Sequence, residues 1–367
     1  MKITRIEVFK ASLQLKRPFR IAIGETRETN TIYVRVHTDE GLYGMGEADS
    51  FTPIVSETQA TSLAAARDLA ALLIGHDPLD IETCVRDMRS FMPHNPTTRS
   101  AFDMSLYDLL GKAAGLPLYA VLGGPLRPVY TDNTVGIDTP DVMVEHAREI
   151  QGRGFPAIKV KVGTTAAADI ECIRRIRDAV GPRLPIRIDA NQGWDVVAAK
   201  QALRGMEAFG VQYCEQPVPV WDIESMAAVR AATTIPIMAD ESVFDEHDAL
   251  KLVTAEACDY LNIKLAKSSG IHVALKINAI AEAAGMRCMV GCMTESRLGL
   301  TAAAHLVSAR PNIVYADLDG ADMLRDDPII GGMVYRDGGR IDLPEGPGLG
   351  ADVDATYLAG LDRFEIS

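Results

Sequence analysis

The N-terminal part of the chain shows two different hydrophobic periods. Apolar and polar residues alternate over residues 3–13 and 30–48, which predicts an antiparallel meander. Apolar residues then recur every three or four positions over residues 56–75 and 97–115, which predicts two amphipathic helices. Residues 1–125 are therefore expected to form a small α+β domain.

From about residue 126 the pattern changes to short apolar strands that alternate with amphipathic helical segments. This alternation is typical of βαβ units around a parallel sheet. The tail after residue 320 breaks into turns and short strands, and we expect it to pack back on the N-terminal domain. Seven strands are predicted from their apolar runs, at residues 157–162, 186–191, 211–215, 235–240, 259–264, 287–292 and 312–317.

Charged residues stand at the C-terminal ends of these strands. Successive spacings between the first five are 28, 26, 25 and 24 residues. The carboxyl ends of the strands carry the active site in a (β/α) barrel, whereas a doubly wound open sheet, the alternative architecture, binds its ligand at one switch point. The spacing favours the barrel. The residues concerned are Lys161, Asp189, Glu215, Asp240 and Lys264, followed on a later strand by Asp317.

Three of these strand ends are carboxylates, namely Asp189, Glu215 and Asp240. Carboxylates projecting into one barrel mouth repel one another unless a cation neutralises them. All-oxygen ligands suit Mg²⁺ or Mn²⁺ rather than zinc, and no histidine accompanies the three acids. The alternative is that each carboxylate caps a following helix or pairs with a basic neighbour.

Lysines form the second group of candidate functional residues. Lys159 and Lys161 are two positions apart on one strand, so both side chains point to the same face, predicted to be the barrel interior. Two neighbouring ammonium groups are expected to lower each other's pKa, which suits a general base. Lys264 approaches from across the mouth. The alternative is that Lys159 and Lys161 are solvated on an edge strand.

Composition and charge narrow the class of protein. Among 367 residues, 50 are acidic and 37 basic, a formal net charge of −13 that argues against binding to nucleic acid or to an anionic membrane surface. The six cysteines lack a zinc-binding pattern. No apolar run approaches a membrane span, and the N-terminus lacks the apolar core of a signal peptide. We therefore expect a cytoplasmic protein with a small-molecule substrate.

Short motifs around the strand ends resemble the enolase superfamily, specifically its muconate-lactonizing-enzyme subgroup. The resemblance implies an α/β fold in which an α+β capping domain (1–125) covers a modified (β/α)7β TIM-like barrel (126–320), with residues 321–367 packing on the cap. The motifs are KVKV at Lys159 and Lys161, IDANQGW at Asp189, CEQP at Glu215, ADES at Asp240 and NIKLAKSSG at Lys264.

The same resemblance implies a mechanism and its residues. It puts one Mg²⁺ per subunit, replaceable by Mn²⁺, on the three strand-end carboxylates, with Glu241 just outside them. Lys161 and Lys264 would be the two acid/base residues, which remove a proton next to a substrate carboxylate and return it on the other face. The metal and Lys159 would stabilise the enediolate where charge develops.

A second motif bears on the substrate. Asp317-Leu318-Asp319 resembles the DxD motif of the dipeptide epimerases, which holds the α-ammonium group of a dipeptide. The alternative is that Asp319 begins a turn and only Asp317 faces the site. Thr134 and Cys292 correspond to substrate-contacting positions. The implied enzyme is an isomerase, a Mg²⁺-dependent epimerase that inverts the Cα of the C-terminal residue of a dipeptide.

The preferred dipeptide depends on the loop after residue 19. Gly24 stands where epimerases for Ala-Glu carry a basic residue, which favours small or hydrophobic dipeptides, although Arg20 or Arg27 could supply the charge. Other activities of the subgroup stay open: L-Ala-D/L-Glu epimerase itself, N-succinylamino acid racemase and o-succinylbenzoate synthase. A barrel that only binds a ligand is a further alternative. Analogy with the family suggests a homo-oligomer.

Overall fold

The N-terminal part of the chain folds on a four-stranded antiparallel sheet, as the alternating pattern predicts. The computed structural model describes residues 1–367. Strands pair in the order in which they follow one another, and a strand from the end of the chain completes the sheet beside the first. The first three are β1 (Ile3–Ile21), β2 (Gly24–Thr38) and β3 (Tyr43–Asp49).

Helices cover one face of this sheet, and the longest of them packs against β3. A Cβ atom at Gly44 or Gly46 would lie about 2 Å from a backbone oxygen of that helix, so glycine is required for the close approach. The five helices are α1 (Thr52–Val55), α2 (Gln59–Leu73), α3 (Ile81–Phe91), α4 (Pro96–Ala114) and α5 (Leu118–Val121), after which comes the short strand β4 (Val129–Tyr130).

Eight parallel strands and seven helices alternate through the middle of the chain. They are β5 (Asn133–Val135), α6 (Pro140–Gly152), β6 (Ile158–Lys161), α7 (Ala166–Val180), β7 (Ile186–Asp189), α8 (Val196–Met206), β8 (Val211–Glu215), α9 (Ile223–Arg230), β9 (Ile237–Ala239), α10 (Glu246–Thr254), β10 (Tyr260–Ile263), α11 (Ile271–Ala283), β11 (Arg287–Val290), α12 (Arg297–Ala309) and β12 (Ile313–Ala316).

The eight strands form one curved sheet in sequence order, from β5 to β12. The backbone N–H of Asp132 donates to the carbonyl oxygen of Ala316 at 3.4 Å and links the last strand to the first. The order contains no reversal, which excludes the doubly wound alternative. The predicted fold, a modified (β/α)7β barrel with an α+β cap, is confirmed.

The C-terminal segment joins the cap to the barrel. Its last strand pairs antiparallel with β1, and two others extend β4 into a small sheet. No helix in the chain combines the length and the apolar character needed to cross a membrane. The elements are β13 (Ile329–Gly331), β14 (Val334–Tyr335), β15 (Arg340–Asp342), β16 (Ala351–Val353), α13 (Ala355–Ala359) and β17 (Arg363–Ile366).

Carboxylates of the cap sheet hold the loop at the start of α12. Glu47 accepts hydrogen bonds from the backbone N–H groups of Ser296 and Gly299, both at 2.9 Å. Asp49 accepts from the N–H and hydroxyl of Thr294 at 2.7 and 2.8 Å. The first N–H groups of a helix have no partner within the helix, so Glu47 satisfies two of them from the cap, while Asp49 holds the preceding loop.

Glu295 lies beside these two acids and gives a testable pH dependence. Burial, followed by the charges of Asp49 and Glu47, raises the pKa of Glu295 to about 8. Because the folded protein keeps this proton up to about pH 8 and the unfolded chain loses it near pH 4.5, its stabilising contribution is complete below about pH 4.5 and is lost as pH rises to 8.

Replacing Glu295 by glutamine should therefore stabilise the protein at high pH only. We expect the free energy of unfolding at about pH 9 to exceed that of the wild type by on the order of 2–4 kcal/mol, with the difference vanishing near pH 5. Urea unfolding of both proteins across this range measures it. A difference that does not vary with pH would contradict the assignment.

Candidate active site

The three strand-end carboxylates converge at the barrel mouth. Asp189 and Glu215 are the last residues of β7 and β8, and Asp240 immediately follows β9. All three side chains are fully buried, and one oxygen from each lies within 4.8 Å of the others. Neighbouring parallel strands that end at one level thus bring together acids that are far apart in sequence.

Each carboxylate is also within ion-pair distance of a lysine. Lys161 Nζ lies 2.6 Å from Asp189 Oδ2, and Lys264 Nζ lies 2.7 Å from Asp240 Oδ2. Lys159 Nζ lies 2.8 Å from Glu215 Oε2. The lysines are buried inside the barrel, which excludes a solvated edge strand for Lys159 and Lys161. Lys161 on β6 and Lys264 just after β10 face each other, since three of the eight strands lie between them on either side of the barrel.

The expected lowering of lysine pKa by the neighbouring ammonium is wrong for Lys159. Burial alone would lower the pKa of Lys159, but the charges of Asp317, Glu215 and Asp189 raise it well above its ordinary value. Asp317 Oδ2 is 2.7 Å away and Asp189 Oδ2 is 3.1 Å away. Three carboxylates at contact distance outweigh one neighbouring ammonium group, so Lys159 is a fixed positive charge.

Buried oxygen atoms without a hydrogen-bond donor are concentrated in this mouth. Lys159 and Lys267 lie close to two of them but not in hydrogen-bond geometry. Buried polar groups are normally satisfied, and these are all acceptors, so the mouth is built for a cation. The donor set therefore fits Mg²⁺. The atoms are Oε2 of Glu215, Oδ1 of Asp240, Oδ1 of Asp317, Oε2 of Glu241, and Oδ1 of Asn191 and Asn262.

Three polar residues that the sequence did not single out support the carboxylates. Asn262 donates from Nδ2 to Glu215 Oε1 at 2.6 Å. Asn191 donates from its backbone N–H to Asp189 Oδ1 at 2.9 Å and from Nδ2 to Glu241 Oε1 at 3.0 Å. Lys267 binds the carbonyl oxygen of Asp240. Asn262 precedes Lys264 by two positions, so the spacing that links Lys159 to Lys161 could have indicated it.

The two acids of the DxD motif lie together on the other side of the mouth. Asp317 Oδ2 binds Lys159, while Asp319 Oδ2 accepts from the backbone N–H of Thr134 at 2.7 Å. Oxygens of both acids lie within 4.8 Å of each other and of the Cys292 sulfur. Asp319 does begin a turn, since its carbonyl oxygen accepts from the N–H of Asp322 at 2.9 Å, but its carboxylate also lies beside that of Asp317.

Electrostatics distinguish the two aspartates. Burial raises the pKa of Asp317, but Lys159 outweighs it and brings the value to about 2. Burial, with the charges of Asp317 and Asp132, raises the pKa of Asp319 well above its ordinary value. An added positive group beside the pair would stabilise both ionised forms.

The cap reaches the mouth through the hairpin of β1 and β2. The Phe19 ring lies 5.9 Å from Lys161 Nζ. Arg20 binds Glu25 Oε2 at 2.7 Å, and Arg27 binds Glu25 Oε1 at 3.3 Å. The two arginines that could receive an acidic substrate are thus already paired and largely exposed. A cavity of about 880 Å³ beside this hairpin extends to Phe19 and Thr134, but none of the three carboxylates lines it.

Comparison with known proteins agrees with this geometry. The D-Ala-D/L-Ala epimerase of Cytophaga hutchinsonii is 44% identical over 100% of both chains. The hydrophobic dipeptide epimerase of Enterococcus faecalis is 42% identical over 95% of this chain and 99% of that protein. The crystal structure of the C. hutchinsonii dipeptide epimerase, complexed with Mg and the dipeptide D-Ala-L-Val, has a TM-score of 0.99 at 43% identity, with all of both chains covered.

Two family models together match nearly the whole chain. Residues 3–123 match the N-terminal domain of the mandelate racemase / muconate lactonizing enzyme family, and residues 142–357 match the enolase C-terminal domain-like family. The resemblance inferred from the strand-end motifs is thereby confirmed. The chain belongs to the enolase superfamily, in its mandelate racemase / muconate lactonizing enzyme family.

Proposed function

We propose that this protein is an isomerase, a Mg²⁺-dependent dipeptide epimerase that inverts the Cα of the C-terminal residue of small or hydrophobic dipeptides. The observation that carries the proposal is the arrangement of the mouth. Lysines stand on opposite sides of a cluster of buried acceptor oxygens, and a separate pair of aspartates lies beside them. The names of the relatives from C. hutchinsonii and E. faecalis support the same activity.

In this proposal Asp189, Glu215 and Asp240 hold Mg²⁺, which Mn²⁺ can replace. When bound, the metal would take the substrate carboxylate as a ligand and make the adjacent Cα–H more acidic. Asn262 fixes one oxygen of Glu215 and leaves the other directed into the mouth. The backbone N–H of Asn191 holds Oδ1 of Asp189, while Oδ2 accepts from Lys161, so both carboxylates are oriented before a metal arrives.

Proton transfer is assigned to the two facing lysines. Lys161 takes the proton from one face of the Cα, and Lys264 delivers a proton to the other face, or the reverse for the opposite epimer. Lys159 keeps its charge through Asp317 and stabilises the negative charge that develops on the substrate carboxylate. One lysine on each side accounts for inversion rather than simple exchange.

Recognition of the dipeptide's N-terminus is assigned to Asp317 and Asp319. Both acids face one space, and the free oxygen of Asp317 lacks a donor. Lys159 is the positive partner of Asp317, and an α-ammonium group would supply the one that Asp319 lacks, whereas an N-succinyl group would add a negative charge beside both acids. Thr134 and Cys292 border the same space and are proposed to contact the substrate. The pairing of Arg20 and Arg27 with Glu25 supports a neutral second residue.

The test combines a dipeptide panel with one substitution. In D₂O the wild type should incorporate deuterium at the Cα of the C-terminal residue and yield the other epimer. Asp319→Asn should lower kcat/KM for free dipeptides by about ten- to a hundredfold, because a charged hydrogen bond to the ammonium is lost. Mass spectrometry and chiral chromatography measure both.

The matched control is Asp178→Asn, an exposed acid of α7 that binds Arg174 at 2.6 Å, outside the barrel mouth. It should leave kcat/KM nearly unchanged. Turnover of N-succinyl amino acids, unaffected by Asp319→Asn, would instead support the racemase or o-succinylbenzoate synthase alternative. No exchange with any dipeptide would contradict the proposal.

The division of the chain follows from these roles. We propose that residues 1–125 act as the cap that selects the substrate, residues 126–320 as the catalytic barrel, and residues 321–367 as the segment that joins them. Cytoplasmic location and assembly into a homo-oligomer are proposed by analogy with the family.

A further inference from the structure

Helix α11, which follows the strand of Lys264, begins without a capping side chain of its own. Its N-cap residue is Gly270, with φ of 101°. The first N–H groups of a helix need outside acceptors. Here the backbone N–H groups of Ile271 and His272 donate to the carboxylate of Asp103, which belongs to the cap helix α4. A residue of the cap therefore caps a helix of the barrel.

The contact between Asp103 and the start of α11 is buried and closely packed. Its side chain is fully buried, and its hydrogen-bond partners are these two backbone groups, with no basic side chain among them. Burial raises the pKa of Asp103 to about 8, and the two N–H groups oppose that shift. A Cβ at residue 270 would lie 2.2 Å from Asp103 Oδ2, so only glycine leaves room for the carboxylate.

Hydrogen bonds among residues 264–270 connect the start of α11 to the backbone of Lys264. The carbonyl oxygen of Lys264 accepts from the N–H groups of Lys267 and Ser268 at 2.9 Å and from the Ser268 hydroxyl at 3.0 Å. The Ser268 hydroxyl also lies 3.3 Å from the carbonyl oxygen of Gly270, whose N–H bonds to Leu265 at 3.0 Å. These hydrogen bonds couple the position of the start of α11 to that of the Lys264 backbone.

The loop after Lys161 is held differently. Asp169 accepts from the N–H groups of Gly163 and Thr164 at 3.1 and 2.9 Å, and Thr165 caps helix α7. These residues all belong to the barrel. The cap thus supplies a carboxylate to the loop of one lysine and none to the loop of the other.

We propose that Asp103 is a positioning residue for Lys264, acting through the start of α11. Its hydrogen bonds go to the backbone of α11 and to none of the proposed metal ligands or substrate-contacting residues. The inference rests on the proposed function, because it assigns Lys161 and Lys264 to opposite faces of the Cα. Loss of Asp103 should therefore impair one of the two proton transfers more than the other.

Inversion rates cannot reveal this asymmetry, since the equilibrium constant ties kcat/KM in the two directions. The asymmetry can be measured as exchange of the Cα proton with D₂O, started separately from each epimer and followed before inversion. One epimer presents its Cα proton to Lys264 and stops exchanging in the Lys264→Ala variant. In that epimer Asp103→Ala should slow exchange by about ten- to a hundredfold, because a small misplacement of the lysine is costly in proton transfer. Exchange of the other epimer should fall less than about threefold, and Asp103→Asn, which keeps an acceptor oxygen, should restore most of the loss.

The matched control is Asp108→Asn, a buried acid of the same helix that binds the N–H groups of Met45 and Leu349 rather than α11. It should slow both epimers equally. If Asp103→Ala does not fold, Gly270→Ala disturbs the same contact between Asp103 and α11. It should slow exchange in the same epimer. Equal loss in both epimers, or no loss, overturns the inference, whereas absence of exchange in the wild type overturns the proposed function itself.

Discussion

Replacing Lys264 by alanine should abolish inversion of a dipeptide and leave solvent exchange at the Cα of one of its two epimers. The side chain is buried at the mouth, opposite Lys161. The neighbouring Lys267 donates to three backbone carbonyl oxygens, which hold it away from a role in proton delivery. The remaining lysine can still remove a proton and return a deuteron on its own side. We expect inversion to fall by about 10²–10⁴-fold, the usual contribution of a positioned acid/base group.

The mirror variant supplies the control. Lys161→Ala should abolish inversion as well, but retain exchange in the opposite epimer. Proton NMR in D₂O, started separately from each epimer, distinguishes the two. If both variants lost exchange in the same epimer, or if either kept full inversion, a two-base mechanism across the Cα would be wrong.

Replacing Glu215 by glutamine should remove most of the affinity for the divalent ion. One oxygen of Glu215 is held by Asn262, and a glutamine can keep that bond. The other, which lacks a hydrogen-bond donor, would become an NH₂ group that cannot ligate a cation. We expect Mn²⁺ binding, measured by electron paramagnetic resonance, to weaken by more than about a hundredfold, beyond the effect of outer residues on metal affinity.

Glu241→Gln is the comparison for this variant. Glu241 is a buried acid of the same mouth that accepts from Asn191 and is not a proposed ligand. Its replacement should weaken Mn²⁺ binding by about ten- to a hundredfold at most, the usual effect of a residue outside the ligands. Equal affinities of the Glu215→Gln variant and the wild type would show that the ion binds elsewhere.

Much of the barrel could be predicted because a local pattern determines it. Each buried parallel strand needs a run of apolar residues, and all seven predicted strands are present. The first strand of the barrel, Asn133–Val135, has no such run, so the apolar pattern does not predict it. It forms because Asp132 and its neighbours pair with strands on both sides, which is a consequence of barrel closure rather than of local sequence.

The part of the candidate site that lies at strand ends could be predicted, because the carboxyl ends of parallel strands meet in a barrel. Asp189, Glu215 and Asp240 come together by topology alone, and their motifs indicate the chemistry. The charge state of Lys159 was not predictable, because it depends on Asp317 from a strand that lies across the barrel closure. The turns that follow the ligands also depend on context, since Gln216 adopts a left-handed φ of 35° that few side chains favour.

Contacts between the two domains lay outside any sequence pattern. Asp103 belongs to a helix whose period indicates a buried face, but nothing in that period distinguishes a core position from a carboxylate that caps a helix far along the chain. Only the folded structure brings Asp103 to α11. The same holds for Glu47 and α12.

The pairing of β17 with β1 determines when the N-terminal sheet can be completed during synthesis. Ile6 lies opposite Ile366, so β1 obtains this partner only after the whole barrel between them has been synthesised. Until then the outer edge of β1 has no partner, and an unpaired strand edge is a template for association with other chains. The nascent chain is therefore most exposed to such association while the barrel is still being translated.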